Sequence, residues 1–551
     1  MDRLFIGPGQ VLAYTSHLNG KRFATQWSLY KGPAGEPGSG LHEFAFLLEI
    51  DPLAIGQGGS LVTQRSQLVC DDALRPLRYR SQTRGSAVSL EFKADSVEAI
   101  LPDGSHHTVP LEGADVVLES NLIGLQALML AQAHGAGRLG AEARFQVFLV
   151  NGMLPAPYRT TPAPDLEAAE GGTWLRSSHE EELRLDHDGC LVLSRLPTQA
   201  VEIRREQPAP PLPAWHDAEV LTLDRPTYAP PPGHTFELHD VELPGPITPL
   251  GGTVTLPRGT APFPAVLFLG GSGSHDRNGI SGEIDLGSHE IVDHLAERGL
   301  LGLRYDTRGA GKTLIGKDVL EQGLETVIAD ARAALAYLRS RPEVDRGRIF
   351  LIGHSQGGTV ALALASAPDA GLAGVVLMAA VGRAIDEALI DQVVNHGRKL
   401  GLAQATVEAQ VQQVRDYVDA ACSGRPWVPG EIPDHLFAGA RTRRWILEHM
   451  RHRSDQLVAK VSCPILVLQG GKDFQVSPEK DAERIVAAAE AAGRDVTYTL
   501  FPDLDHTFKR TEGNSTMVQY YDRSRHVDGG FLDVLGTWLS KRAHAAAPEV
   551  A

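Results

Sequence analysis

Between residues 348 and 365 an apolar run, Arg348-Ile349-Phe350-Leu351-Ile352, meets the bend Gly353-His354-Ser355-Gln356-Gly357. The small apolar series Gly358-Thr359-Val360-Ala361-Leu362-Ala363-Leu364-Ala365 follows. Few chain geometries accommodate that order: a buried strand, a turn tight enough to need glycine on both sides, and a buried helix. In such a bend the hydroxyl of Ser355 projects above the end of the strand, which makes Ser355 the candidate nucleophile. A glycine-rich turn with a spectator serine is the plainer alternative, and the flanking strand and helix argue against it.

The surroundings repeat this logic. Apolar runs at Ala265 to Leu269, Leu301 to Tyr305, Gly374 to Met378 and Pro464 to Gln469 alternate with helix-length segments such as Glu321 to Arg339. Alternation of strands and helices implies a mostly parallel sheet covered on both faces, with any site beyond the carboxyl ends of the strands. Ser355 follows one of those ends.

The first two hundred residues read differently. Val88-Ser89-Leu90-Glu91-Phe92-Lys93-Ala94 alternates apolar and polar positions, as a half-buried strand does. Leu183 and Leu185, the turn Asp186-His187-Asp188-Gly189, and Leu191 and Leu193 form a hairpin pattern. One strong helix stands out, Leu122 to Ala133. We expect an antiparallel β-rich domain over residues 1–206, its curved sheet packed on that helix. Cys70 to Tyr79 is similar to the strand-turn-strand step of lipoprotein-carrier half-barrels, whose concavity can hold an apolar ligand. A structural or dimerising module is the simpler reading of this half. Residues 207–233 carry eight prolines and read as a stiff linker, which leaves 234–551 for the α/β domain.

Composition narrows the function classes. Lys+Arg of 52 against Asp+Glu of 68 gives a formal charge of −16, which repels phosphate backbones and anionic membranes; no nucleic-acid partner is expected. No run approaches the length of a spanning helix, and the first residues lack the basic start and apolar core of a leader, so a cytoplasmic location is expected. The four cysteines, Cys70, Cys190, Cys422 and Cys463, are too scattered for a metal ribbon or disulfide framework and read as buried thiols. No metal and no cofactor are expected. A homo-oligomer is left open.

Four segments in order carry a family resemblance: Gly270-Gly271-Ser272-Gly273-Ser274-His275-Asp276-Arg277-Asn278-Gly279, Leu303-Arg304-Tyr305-Asp306-Thr307-Arg308-Gly309-Ala310-Gly311-Lys312, the Ser355 bend, and Leu468-Gln469-Gly470-Gly471-Lys472-Asp473. They resemble the successive motifs of the α/β-hydrolase superfamily, most of all the bacterial serine esterases with an extra N-terminal domain. The resemblance covers about residues 235 to 545. It implies an α/β-hydrolase fold, a serine hydrolase acting on a small-molecule ester, and the chain order nucleophile, acid, histidine. Asp473, after the Ile465 to Leu468 strand, is the acid; His506, after a strand at Val496 to Phe501, is the base. Asp503 and Asp505 are nearer to His506 in sequence, but such close neighbours reach an imidazole poorly.

A serine hydroxyl needs a base and an oriented histidine to attack a carbonyl, and the oxyanion that forms needs preorganised donors. The backbone N–H of Gln356, at a helix N-terminus, is the first expected donor. That of Ser272 is the second, with Gly271 as the alternative. Many relatives have histidine where Gly270 stands, so the internal bonding of this loop is open. His275 reads either as reaching the site or as a solvated surface residue, and His354 as an elbow or packing residue. Asp276, Arg277, Asp306 and Arg308 read as structural ion-pairing around the oxyanion strand. Gly311-Lys312-Thr313 is no P-loop, because Asp306 occupies the position that would need glycine.

Helical segments at Ile385 to Lys399 and Thr406 to Ala421 interrupt the sheet pattern, and a lid is expected over about 382–460. Trp427, Trp445, Leu447 and Met450 mostly fill its own core, with one or two facing substrate. A serine peptidase or acyltransferase on the same fold is the alternative activity. An inert apolar-ligand carrier is the alternative from another class.

Overall fold

The computed structural model describes residues 6–544 except 36–37, 52–53, 55–60, 84–86, 101–105, 120–121, 140–141, 151–152, 180, 198–199, 218–226, 283, 314–321, 400, 424–438, 514 and 516. The chain divides into two compact units. One comprises Met1–Arg225 with His396–Ala420 and Gly424–Gly439; the other comprises Pro226–Asn395, Ala421–Ser423 and Ala440–Ala551.

In the first unit the described residues form a 15-stranded sheet. Eight strands meander outward in sequence order from Val11–Leu18 to His106–Pro110, and seven return from the far edge, Val116–Leu118, to Val201–Glu206. The two arms join where Val11–Leu18 pairs antiparallel with Val201–Glu206, Ala13 lying opposite Glu206 and Leu18 opposite Val201. The alternation at 88–92 is real: Leu90 and Phe92 are buried while Glu91 is exposed. The hairpin also forms, Glu182–Leu185 pairing with Leu191–Leu196.

The helix Ile123–Gly135 is buried along nearly its whole length, as expected of a helix apolar on every side. Leu125 and Leu128 pack into a cluster with Phe44, Phe46 and Phe148. Ala127, Met129 and Leu130 pack into another with Phe145, Tyr158 and Leu183. Gly124 sits so close to the sheet that a Cβ there would stand 2.1 Å from Ser28 Oγ. The space left beside the helix, lined by Leu68, Leu125 and Leu128 among others, is about 10 Å³, room for one water at most. Where a carrier would keep an open concavity, this sheet holds its own helix.

The proline-rich segment is anchored. Trp27 Nε1 donates to the Pro210 carbonyl at 3.1 Å and Trp215 Nε1 to Glu49 at 2.7 Å, while Leu212 and Trp215 pack on Trp27 and Leu47. Farther on, Tyr228 donates to Asp293 at 2.9 Å and lies under the Arg304 guanidinium.

The second unit is built on eight strands: β1 Glu237–Leu243, β2 Leu250–Leu256, β3 Phe263–Leu269, β4 Leu301–Tyr305, β5 Val344–His354, β6 Gly374–Met378, β7 Ile465–Gly470 and β8 Val496–Phe501. Their order in the sheet is β1-β2-β4-β3-β5-β6-β7-β8. From β4 to β8 all neighbours are parallel, whereas β2 runs antiparallel to both β1 and β4. The β1–β2 pair was not legible in the sequence pattern. β2 carries Gly251 and Gly252, poor strand formers, because a Cβ on Gly251 would stand 2.4 Å from the Arg277 guanidinium.

Successive side chains of the central strands face opposite ways. Leu267, Leu269, Ile349 and Leu351 join Ile328, Leu335 and Val360 on one side. Val266, Phe268, Phe350 and Ile352 join Ile291, Leu295, Phe531 and Leu535 on the other. The sheet is thus sandwiched between the helices Leu324–Ser340 and Gln356–Ala365 and the helices Ser288–Ala296 and Gly529–Ala543. Register aligns the strand ends, Leu269 opposite Gly353, His354 opposite Met378 and Gly470 opposite Phe501. The loops that leave these ends share one edge.

No helix among the described residues is long and apolar enough to cross a membrane. Cys70 and Cys190 are buried and Cys463 is half-buried, but Cys422, expected inside, is exposed; it lies in the last turn of the helix Gln404–Cys422.

Candidate active site

Ser355 is the one residue between β5 and the helix Gln356–Ala365, with φ 53° and ψ −121°. A left-handed φ at a residue with a Cβ is strained and persists only where its surroundings impose it. Here they do: Ser355 N–H donates to the Met378 carbonyl at 2.8 Å, and the flanking glycines let backbone touch backbone. A Cβ on Gly353 would lie 2.2 Å from Gly357 O, and one on Gly357 would lie 2.1 Å from Leu269 O.

His506 is buried at 4% relative exposure, and its Nδ1 stands 2.7 Å from Asp473 Oδ2. Asp473 is held in turn by the N–H groups of Gln475 and Val476 at 2.8 and 3.0 Å and by Gln469 Nε2 at 3.1 Å. Burial disfavours the imidazolium, but the Asp473 charge and hydrogen bond outweigh it, and the His506 pKa lies above its ordinary 6.5. The rival acids are engaged elsewhere. Asp505 accepts from Thr507, Lys509 and Arg525, and Asp503 is exposed beside Lys472 and Arg510.

His354 does more than pack. Its Nε2 lies 2.8 Å from the His506 carbonyl, which can only accept, so Nε2 carries the proton. The two rings lie 4.8 Å apart. Burial, and then the neighbouring His506, push the His354 pKa down to about 3.

The glycine loop after β3 supplies the other side. Gly271 approaches Ser355 so closely that a Cβ on it would be 3.3 Å from Ser355 Cβ. His275 is neither a site residue nor a solvated one. It is buried at 5%, its Nε2 3.2 Å from the Gly271 carbonyl and its Nδ1 3.3 Å from that of Asp276. A Cβ on Gly270 would lie 2.2 Å from the His275 ring, so glycine is required there and the loop's internal bonding runs through His275. In a trans peptide the C=O and N–H point opposite ways. Turning the Gly271 carbonyl toward His275 therefore turns the Ser272 N–H away from it. The Gln356 N–H opens a helix whose first N–H groups lack intrahelical partners.

The loop charges are structural, as the sequence suggested. Arg277 forms a paired contact with buried Asp306, at 3.0 and 2.6 Å, and also meets Asp240 and Gly252 O. Arg308 does the same with Asp330, at 2.7 and 2.5 Å. Asp276 caps its own turn through Asn278 N and Ile280 N. Asp306 also accepts from Lys312 N at 2.8 Å, which accounts for Gly311-Lys312 without a phosphate.

Ser355, Ser272 and Gln356 border a cavity of about 180 Å³. Ile385, Leu389 and Gln392 of the helix Ile385–Lys399 and Trp445 and His449 of the helix Gly439–Arg451 also line it. Trp445 donates to Gln356 Oε1 at 3.1 Å. Leu447 and Met450 do not border the cavity, and Trp427 lies outside the described residues. Sequence reasoning missed Arg383, His449, His452 and Gln475. The spacing of four between Trp445 and His449, which stacks them on one helix face, was the available signal.

Esterase EstD of Thermotoga maritima is 32% identical to this chain over 331 residues, which is 59% of the chain and 73% of EstD. The chain is a member of the α/β-hydrolase superfamily. The family model described as "Serine aminopeptidase, S33" matches this hydrolase over residues 279–511. The uncharacterized protein Rv2307c of Mycobacterium tuberculosis is 31% identical over 244 residues, 44% of the chain and 63% of that protein, so the hydrolase spans just under two thirds of that relative. A thermostable carboxyl esterase structure from Bacillus coagulans is 16% identical, covering 56% of this chain and 99% of its own, with a TM-score of 0.38. The family match takes in the Ser355 bend, Asp473 and His506.

Proposed function

We propose that this hydrolase cleaves carboxylic esters through an acyl-enzyme formed on Ser355. Ser355 Oγ attacks the carbonyl carbon while its proton passes to His506, and Asp473 holds His506 in the tautomer that can accept it. The oxyanion rests on the N–H groups of Gln356 and Ser272. Collapse breaks the ester bond and His506 returns the proton to the departing alcohol. Water, deprotonated by His506, then attacks the acyl-enzyme and releases the acid and Ser355. Ile385, Leu389 and Gln392 on one helix and Trp445 and His449 on another, all lining the cavity, act as a lid over the substrate.

The observation that carries this reading is the strained Ser355 lining a cavity, with an Asp473–His506 pair on the loops that leave β7 and β8 at the same edge of the sheet. The esterase name of EstD supports an ester substrate. The family model's description favours a second reading, an aminopeptidase, which must bind a substrate ammonium group. Among the described residues neither Asp nor Glu lines the cavity, and that weighs for the ester.

The test is hydrolysis of short- and medium-chain p-nitrophenyl esters by the wild type and Ser355→Ala. Turnover lost with the hydroxyl, together with mass-spectrometric capture of a fluorophosphonate on Ser355, is the expected result. Turnover that survives the substitution would remove Ser355 from the mechanism, and cleavage of aminoacyl-anilides in preference to esters would favour the peptidase.

A further inference from the structure

The lining of the cavity has a definite hydrogen-bonding polarity. His449 is buried at 7% exposure, its Nδ1 2.8 Å from the Trp445 carbonyl. Because that carbonyl can only accept, the ring proton sits on Nδ1 and Nε2 is left with its lone pair. Burial pushes the His449 pKa down to about 4, so the ring stays neutral across the working range. Gln392 commits its amide Nε2 to the Gln475 carbonyl at 3.3 Å, which leaves its Oε1 as an acceptor. Both residues line the cavity.

The Arg383 guanidinium and the His452 ring in the lining are already engaged. Arg383 is held by Asp481 at 3.1 and 3.0 Å and by Asp391. His452 faces Glu325 at 3.3 Å through Nε2 and the Glu448 carbonyl at 3.0 Å through Nδ1. A carboxylate or phosphate would therefore meet acceptors and a guanidinium whose charge is balanced, whereas a neutral hydroxyl would meet lone pairs. The volume, about 180 Å³, is below the ~300–1,000 Å³ usual for drug-sized ligands, which favours short substrates.

Building on the ester reading above, we infer that His449 Nε2, seconded by Gln392 Oε1, accepts a hydrogen bond from a hydroxyl on the substrate, making short hydroxylated esters the preferred class. A pocket built to bond a hydroxyl discriminates strongly against the analogue lacking it, because its own buried acceptor is then left unpaired.

Two matched pairs test this: methyl 3-hydroxybutyrate against methyl butyrate, with the hydroxyl on the acyl side, and 2-hydroxyethyl butyrate against propyl butyrate, with it on the alcohol side. The wild type is expected to show a higher kcat/KM for the hydroxylated member of at least one pair, and that pair tells which half of the ester reaches His449. His449→Phe keeps a ring against Trp445 but removes the acceptor, and should lower that ratio at least tenfold; His449→Gln restores an oxygen and should recover part of it. An unchanged ratio in His449→Phe, or a wild type that prefers the plain member of both pairs, overturns the inference. So does failure to hydrolyse either pair while p-nitrophenyl butyrate is turned over. If p-nitrophenyl butyrate is also untouched, the ester reading itself has failed. Should His449→Phe not fold, the wild-type preference and the His449→Gln ratio still decide.

Discussion

His354 donates a hydrogen bond from Nε2 to the main-chain oxygen of His506, 2.8 Å away and 152 residues on in sequence. The residue before Ser355 thereby fixes the backbone that carries the His506 imidazole. His354→Phe retains the ring and deletes the donor, leaving a buried carbonyl unpaired at a cost of about 1–3 kcal/mol. A lower melting temperature together with a roughly tenfold drop in kcat, from a displaced imidazole, is expected in calorimetry and steady-state kinetics. Unchanged kcat would mean that the β8 loop holds His506 unaided.

The pH profile has a defined direction. As a general base His506 must be neutral, and its pKa lies above the ordinary 6.5, so kcat/KM should rise with pH through a midpoint above that value. Burial opposes the charge and Asp473 sustains it, so the residual activity of Asp473→Asn should titrate at lower pH than the wild type. A wild-type midpoint at or below 6.5 would contradict the assignment. His354, at about 3, stays neutral throughout and contributes no limb.

Asp473, after β7, and Asp505, after β8, both carry buried carboxylates, and their substitutions should separate cleanly. Asp473→Asn should lower kcat about ten-thousand-fold through loss of the productive tautomer with little change in folding. Asp505→Asn breaks the contact with Arg525, 2.5 Å away, and should cost stability by about 3 kcal/mol with a smaller effect on turnover. Parallel denaturation and rate measurements distinguish the two, and a reversed pattern would exchange their roles.

Two glycine-to-alanine changes contrast packing with chain entropy. In Gly357→Ala the new Cβ would stand 2.1 Å from Leu269 O and 2.6 Å from Gly270 O, backbone atoms that cannot give way. Destabilisation on the order of 3 kcal/mol is expected, with loss of activity. Gly529 opens the helix Gly529–Ala543 and has nothing within 4 Å; Gly529→Ala should be neutral or stabilising by about 0.4–1 kcal/mol. Thermal shifts of the two proteins are the measurement.

Much of the second unit was legible because its signals are local. β4 and β6 stand where their apolar runs begin and end, since a buried parallel strand is predominantly apolar. The same applies to the Ser355 bend, where glycine, serine and glycine leave few alternatives. The β1–β2 pair was hidden because the glycines of β2 answer to Arg277, a residue outside the strand.

What the sequence determined by itself was the alternation of strands and helices in the second unit and the strand-turn-helix around Ser355, both consequences of residue periodicity and backbone sterics. What tertiary structure alone decided were the contacts between residues far apart in the chain. Asp473 rather than Asp505 faces His506, His275 fills the volume beside Gly270 and turns the Gly271 peptide, and the first unit's sheet closes on its own helix. His449 became part of the cavity wall by the same route. Such contacts depend on which strand ends share an edge and which side chains fill the remaining volume. No local pattern encodes that, because packing is settled jointly by residues drawn from the whole chain.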